Sequence, residues 1–188
     1  MKRNVQGFTL VELLIVAVVL AIFAAIVVPQ FASTTDEAKE SALKSELAAI
    51  RGAIDLYRQQ HAAYPGANTA VPDASVTCSG TAGTGTGGGT GAQAATAFVS
   101  QLTLYTAANG MACTSNASGD FPFGPYLRDD GIPNNAVNND NTVTVINTGD
   151  LAMGADAVQQ GWKFDSVTGK FIVNDNGTDS KGVDYDLY

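Results

Sequence analysis

Phe8-Thr9-Leu10-Val11-Glu12 opens an apolar run that continues uncharged from Leu13 to Val28 and closes on Pro29. From Phe8 to Val28 there are about 21 residues. At roughly 1.5 Å per residue, a helix of that length covers the roughly 30 Å hydrocarbon core of a bilayer. Lys2 and Arg3 lie before the run and the first acids after it are Asp36 and Glu37, so the positive-inside tendency places the N-terminus in the cytoplasm and the remainder outside. Three other readings compete. A cleaved secretory signal has a shorter apolar core and a small-x-small cleavage site, which Pro29-Gln30-Phe31-Ala32-Ser33 supplies poorly. A buried core helix is disfavoured by length. A plain anchor leaves Glu12 unexplained, because a carboxylate inside an apolar helix is costly and such residues are usually functional.

Beyond Pro29 the pattern changes from apolar all round to amphipathic. Pro29 lacks a backbone donor and clashes with the preceding turn, so a kink or local break is expected near Ile26 to Pro29. Thr34 and Glu37 suit either the cap of a restarted helix or an exposed turn of a continuous one. Leu43, Leu47, Ile50, Ile54 and Tyr57 then recur at steps of four and three, drawing one apolar stripe. Glu40 with Lys44, and Arg51 with Asp55, are i,i+4 pairs on the polar side. Pro65 biases Tyr64 out of helical geometry, so the helix should stop by Ala63.

The remaining chain reads as a small sheet dressed with turns. Residues 79–91 are almost wholly Gly, Thr, Ala and Ser and read as a surface loop. Phe98, Leu102 and Tyr105 are spaced for a short helix over the sheet. Thr142 to Ile146 is a β-branched strand. Residues 161–173 form the clearest hairpin: Trp162 and Phe164 share one face, as do Phe171 and Val173, with a turn between them. These faces should cover the stripe from Leu43 to Tyr57. The expected class is α+β, a long N-terminal helix packed on a small antiparallel sheet.

Composition narrows the function. The formal charge of -8 on 188 residues argues against a broad nucleic-acid surface, which needs concentrated Lys and Arg. His61 is the only histidine, which removes the commonest general base and any His-dependent triad. No Gly-x-Ser-x-Gly nucleophile motif occurs. A membrane-anchored hydrolase using Asp129 and Asp130 or the acids of the tail is therefore a remote alternative to a non-enzymatic protein. Cys78 and Cys113, an even count outside the cytoplasm, suit a disulfide closing a loop of about 35 residues, with two unpaired thiols as the alternative.

The basic leader ending in Gly7, followed by Phe8-Thr9-Leu10-Val11-Glu12 and an apolar helix, resembles the N-terminal signal of type IV pilins and type II secretion pseudopilins. The stretch Ala53 to Arg58 leading to Ala63-Tyr64-Pro65 is similar to the end of the long helix in major pseudopilins of type II secretion, which places the chain nearest to them. The resemblance implies a leader of residues 1–7, a transmembrane and assembly helix over 8–29, its amphipathic half over 30–63 and a pilin-like head over 64–188. It implies cleavage between Gly7 and Phe8 by a prepilin peptidase, N-methylation of Phe8, and a role for Glu12 in assembly register through the amino group of Phe8 on a neighbouring copy. The implied partners are membrane lipid before assembly, copies of the chain in a helical filament, minor pseudopilins or pilins, and an inner-membrane assembly platform. Protein secretion is the function implied, and a type IV pilus subunit acting in adhesion, twitching or DNA uptake is the alternative. Major pseudopilins also bind calcium near the C-terminus. Asp175, Asp179, Asp184 and Asp186 offer the hard oxygen ligands that calcium takes, although the tail departs from the family's usual wording there, and a solvated acidic tail fits equally well.

Overall fold

The computed structural model describes residues 7–67, 75–83, 91–128 and 131–188. Helix α1 spans Leu10–His61 without interruption, so the break expected near Pro29 does not occur, and Thr34 and Glu37 lie on turns of a continuing helix. One proline removes a single helical donor. Ending the helix there would require a second, unfavourable nucleation on its far side.

The chain forms two compact units, residues 1–38 and 39–188. In the first, Leu10–Val27 is an 18-residue window of mean hydropathy 3.1 with none of its surface buried. Length and composition suit it to crossing a membrane.

In the second unit, the stripe on α1 becomes the floor of the core: Leu43, Leu47, Ile50, Ile54 and Tyr57 are all buried. Above it lies a three-stranded sheet of β3 (Val143–Ile146), β4 (Trp162–Asp165) and β5 (Phe171–Val173), in that spatial order. The hairpin β4–β5 is antiparallel, with Trp162 opposite Val173 and Phe164 opposite Phe171. Strand β3 pairs parallel to β4, with Val145 opposite Phe164. The class is α+β as the periodicities imply, but the sheet is mixed. Parallel neighbours need a long crossover, and residues 147–161 provide it.

That crossover also explains why β4 is buried on both faces. Trp162 and Phe164 point into the core with the stripe, where Trp162 meets Phe171 with ring centroids 5.4 Å apart. Helix α2 (Ala92–Thr103) closes the core with Phe98 and Leu102, and Phe98 lies 4.7 Å from Phe164 between ring centroids. On the opposite face, Lys163 Nζ donates to Gly154 O at 2.9 Å and Lys170 Nζ to Met153 O at 2.8 Å. Both lysines hold the crossover down.

A smaller sheet pairs β1 (Tyr105–Thr106) with β2 (Ala112–Cys113). Tyr105, whose spacing suggests a place on α2, belongs to this sheet instead.

The i,i+4 pairs on α1 give way to longer-range bonds. Arg51 donates to Phe171 O at 2.8 and 3.1 Å and to Tyr188 O at 2.5 Å. Glu40 accepts from Ser180 N at 2.7 Å, and Lys44 sits 4.3 Å over the Tyr188 ring. Charge-assisted bonds to partly buried backbone are stronger than an exposed ion pair on one helix. At the helix end, Ala62 adopts φ 55° and donates to Arg58 O, so the helix stops where Pro65 implies.

Gly52 faces solvent in this helix, and an added Cβ would meet nothing within 4 Å. Gly52→Ala is therefore expected to stabilise the isolated head by about 0.5–1 kcal/mol through helix propensity. A rise in the denaturant midpoint at unchanged m-value would show it.

Candidate processing and assembly site

Gly7, Phe8 and Thr9 lie just before α1 and are exposed, Phe8 at 81%. The first turn of any helix leaves backbone N–H groups without intrahelical partners. Here Thr9 and Glu12 form a reciprocal cap. The Thr9 backbone N–H donates to Glu12 Oε2 at 2.9 Å, the Thr9 hydroxyl donates to the same oxygen at 2.8 Å, and the Glu12 N–H donates to Thr9 Oγ1 at 3.3 Å. This is the Ser/Thr-x-x-Glu capping box. Its sequence signal is Thr9 followed three residues later by Glu12. The family resemblance assigns Thr9 no role of its own, and the cap supplies one.

The cap alters what Glu12 can do. A carboxylate in an apolar setting has to be partnered, and within one chain Oε2 is already held. Among the described residues Oε1 has no hydrogen-bond partner. The scissile Gly7–Phe8 bond implied by the resemblance lies upstream of the cap, outside the helical hydrogen-bond ladder. Met1 to Gln6, with Lys2 and Arg3, lie outside the described residues.

Cys78 and Cys113 form a disulfide with Cα atoms 5.7 Å apart. It ties the segment before the Gly/Thr-rich loop to β2, beside a small cluster around Phe121. Of that loop, residues 84–90 lie outside the described residues, while Ala82 forms a bridge with Cys113.

The four tail acids are not brought together, and their surroundings differ. Asp175 Oδ1 accepts from Gly177 N at 2.7 Å. Asp179 accepts from the N–H groups of Lys181 and Val183 and from the Tyr188 hydroxyl at 2.6 Å, and Asp186 Oδ2 accepts from Ala155 N at 3.0 Å. Asp184 precedes the 3₁₀ turn Tyr185–Leu187 and is exposed. Among the described residues, no group of three His, Cys, Asp or Glu side chains is placed to hold a metal. The Tyr188 hydroxyl lowers the Asp179 pKa. The expectation of a calcium cage built on these four acids therefore meets a tail in which Asp175 and Asp179 hold turns, Asp186 reaches the Ala155 N–H and Asp184 stands exposed. Asp129 and Asp130 lie outside the described residues.

His61 is a packing residue. It stacks on Tyr57 at 4.1 Å, and its Nε2 lies 3.0 Å from both Thr106 Oγ1 and the Tyr126 hydroxyl, which itself donates to Gln60. Burial pushes the imidazole below its ordinary value, partly offset by the Ala108 carbonyl. The unfolded chain, near pKa 6.5, then takes a proton more readily than the folded one. The His61 contribution to stability is complete above about pH 6.5 and is lost as the pH falls from there through the folded pKa. The thermal midpoint should fall more between pH 7.5 and 5.5 in the wild-type head than in His61→Gln; equal falls would show that His61 is not responsible.

Residues 2–28 match the family described as a prokaryotic N-terminal methylation motif. The chain is 45% identical over 64 residues to the type II secretion system core protein G of Pseudomonas aeruginosa, covering 34% of this chain and 45% of that protein. It is 37% identical over 65 residues to the protein of the same name from Klebsiella pneumoniae, covering 35% and 46% of the two chains, and 32% identical over 63 residues to that of Escherichia coli, covering 34% and 43%. The similarity thus spans somewhat under half the length of these relatives. No solved structure shows significant similarity. The N-terminus is of the prepilin type, and the likeness is to core protein G.

Proposed function

We propose that this chain is a structural, non-enzymatic subunit of a pseudopilus in type II protein secretion, made as a precursor, cut between Gly7 and Phe8 and methylated on Phe8. The observation that carries the proposal is the wholly exposed apolar stretch Leu10–Val27, opened by the Thr9–Glu12 cap and matching the methylation motif. Among the described residues of its own unit, nothing else covers that surface. Lipid covers it before assembly, and copies of the same helix cover it afterwards. Exposing about twenty apolar side chains to water would be prohibitive at about 25 cal/mol per Å².

In this reading the chain crosses the inner membrane once, with its N-terminus cytoplasmic and its head outside. A prepilin peptidase processes it, an assembly platform extracts it, and minor pseudopilins join it in the filament. Glu12 keeps one carboxylate oxygen on Thr9 and offers the other, Oε1, to the amino group of Phe8 on the next copy. Repetition of that heterologous contact gives an open helical fibre.

Mass spectrometry of the chain purified from its native membrane tests processing. The expected product begins at N-methylated Phe8, and an N-terminus elsewhere overturns the cleavage assignment. Deletion of the gene tests the pathway. Loss of extracellular enzymes, restored by the wild-type chain, is expected. Long surface fibres with secretion intact would instead assign the chain to a type IV pilus.

A further inference from the structure

On the face of the sheet turned away from the core, three side chains form a cluster that neither processing nor assembly uses. Lys163, in β4, is 9% exposed, and Asn174, immediately after β5, is fully buried. The ladder continues past β5 through the Asn174 N–H to Gly161 O. With Lys163 opposite Ile172, Asn174 is therefore the diagonal same-face neighbour of Lys163. Asp156, from the crossover, lies between them. Its Oδ1 is 2.6 Å from Lys163 Nζ and its Oδ2 accepts from Asn174 Nδ2 at 3.2 Å, while its backbone N–H donates to Asn174 Oδ1 at 2.7 Å.

A salt bridge alone does not need the amide. Here one aspartate holds an amine on one carboxylate oxygen and a buried carboxamide on the other, and its N–H polarises the carboxamide carbonyl. These are the parts of an acyl transfer: nucleophile, proton carrier, electrophile and oxyanion donor.

We propose that Lys163 and Asn174 become joined by an isopeptide bond, with Asp156 as the proton carrier. The Asp156 carboxylate takes a proton from the Lys163 ammonium, freeing an electron pair on Nζ. Nζ attacks Cγ of Asn174 and forms the new N–C bond, while negative charge developing on Oδ1 is met by the Asp156 N–H. Asp156 returns its proton to Nδ2 as the Cγ–Nδ2 bond breaks, and the nitrogen leaves as ammonia, which carries off the surplus proton as ammonium. Nothing is oxidised or reduced, and no co-reactant is needed. The Asp156 side chain is 41% exposed, which gives the leaving ammonia a path to solvent. The product staples β4 to the end of β5 beneath the crossover.

Intact and tandem mass spectrometry of the full chain, extracted in detergent, decides the matter. The bond predicts a mass lower by about 17 Da, the mass of ammonia, and a branched peptide joining Lys163 to Asn174, with no tryptic cut after Lys163. In Asp156→Ala the full mass should return and trypsin should cut there. A wild-type chain of undiminished mass overturns the proposal, leaving a salt bridge. Loss of ammonia in a linear peptide also overturns it, since a succinimide at Asn176-Gly177 has the same mass. The wild-type peptide map decides even if Asp156→Ala fails to fold.

Discussion

Glu12→Ala should leave cleavage after Gly7 and membrane insertion intact, yet reduce incorporation into filaments by roughly a hundredfold to a few thousandfold. Removing a carboxylate from an apolar helix makes insertion easier, and the Gly7–Phe8 bond lies outside the helix. On the proposed assembly role the loss falls on filament formation, where the amino group of Phe8 on the next copy would be left without its counter-charge. Breaking such a pair by removing one partner costs roughly 3–5 kcal/mol, more than the roughly 1 kcal/mol of a lost helix cap. Thr9→Ala separates these contributions, because it removes the two hydroxyl bonds of the cap and keeps the carboxylate and its bond from the residue 9 N–H. It should reduce incorporation several-fold at most. Quantitative blotting of sheared filament against membrane fractions reads both variants, and normal filaments from Glu12→Ala would refute the assembly role.

Trp162→Ala should destabilise the head by about 3–5 kcal/mol. Trp162 is fully buried, stacks against Phe171, and its indole N–H donates to Pro133 O at 3.0 Å. Truncation leaves a large cavity beside the α1 stripe and an orphaned carbonyl. For a head of this size the thermal midpoint should drop by roughly 10–15 °C. Leu151→Ala serves as the control, since Leu151 is 79% exposed and its loss should move the midpoint little. A fall of under two degrees in Trp162→Ala would show that the hairpin does not carry the core.

The parts of this fold legible in the sequence are those governed by local period. The Leu43-to-Tyr57 stripe follows the helical repeat, and Trp162 with Phe164 follows the strand repeat; both reach the core as their spacing implies. The parallel register of β3 is not local, because nothing in Val143 to Ile146 distinguishes a parallel neighbour from an antiparallel one. The fates of Arg51 and Glu40 were hidden for the same reason: their partners lie 120 and 140 residues away. At the N-terminus, Glu12 stands out as a charge in an apolar run, whereas Thr9 is an ordinary polar residue whose value appears only when both ends of the cap are considered together. For the tail acids, composition alone does not choose between two uses. Aspartates in a glycine-punctuated stretch suit calcium and suit tight turns equally well in composition, and here Asp175, Asp179 and Asp186 bond to backbone N–H groups.

The separation between the α1 stripe and the strands that cover it also orders events during synthesis. Leu43 to Tyr57 leave the ribosome about a hundred residues before Trp162 to Val173, and β3 cannot find its parallel neighbour until the crossover behind it has been made. Contacts of such long range close slowly. Through that interval the amphipathic half of α1 presents an unpartnered apolar face, the kind of surface that aggregates when left waiting. The growing chain thus has a vulnerable period set by topology rather than by stability. Slowing elongation between residues 60 and 160 should increase its dependence on chaperones without changing the finished fold.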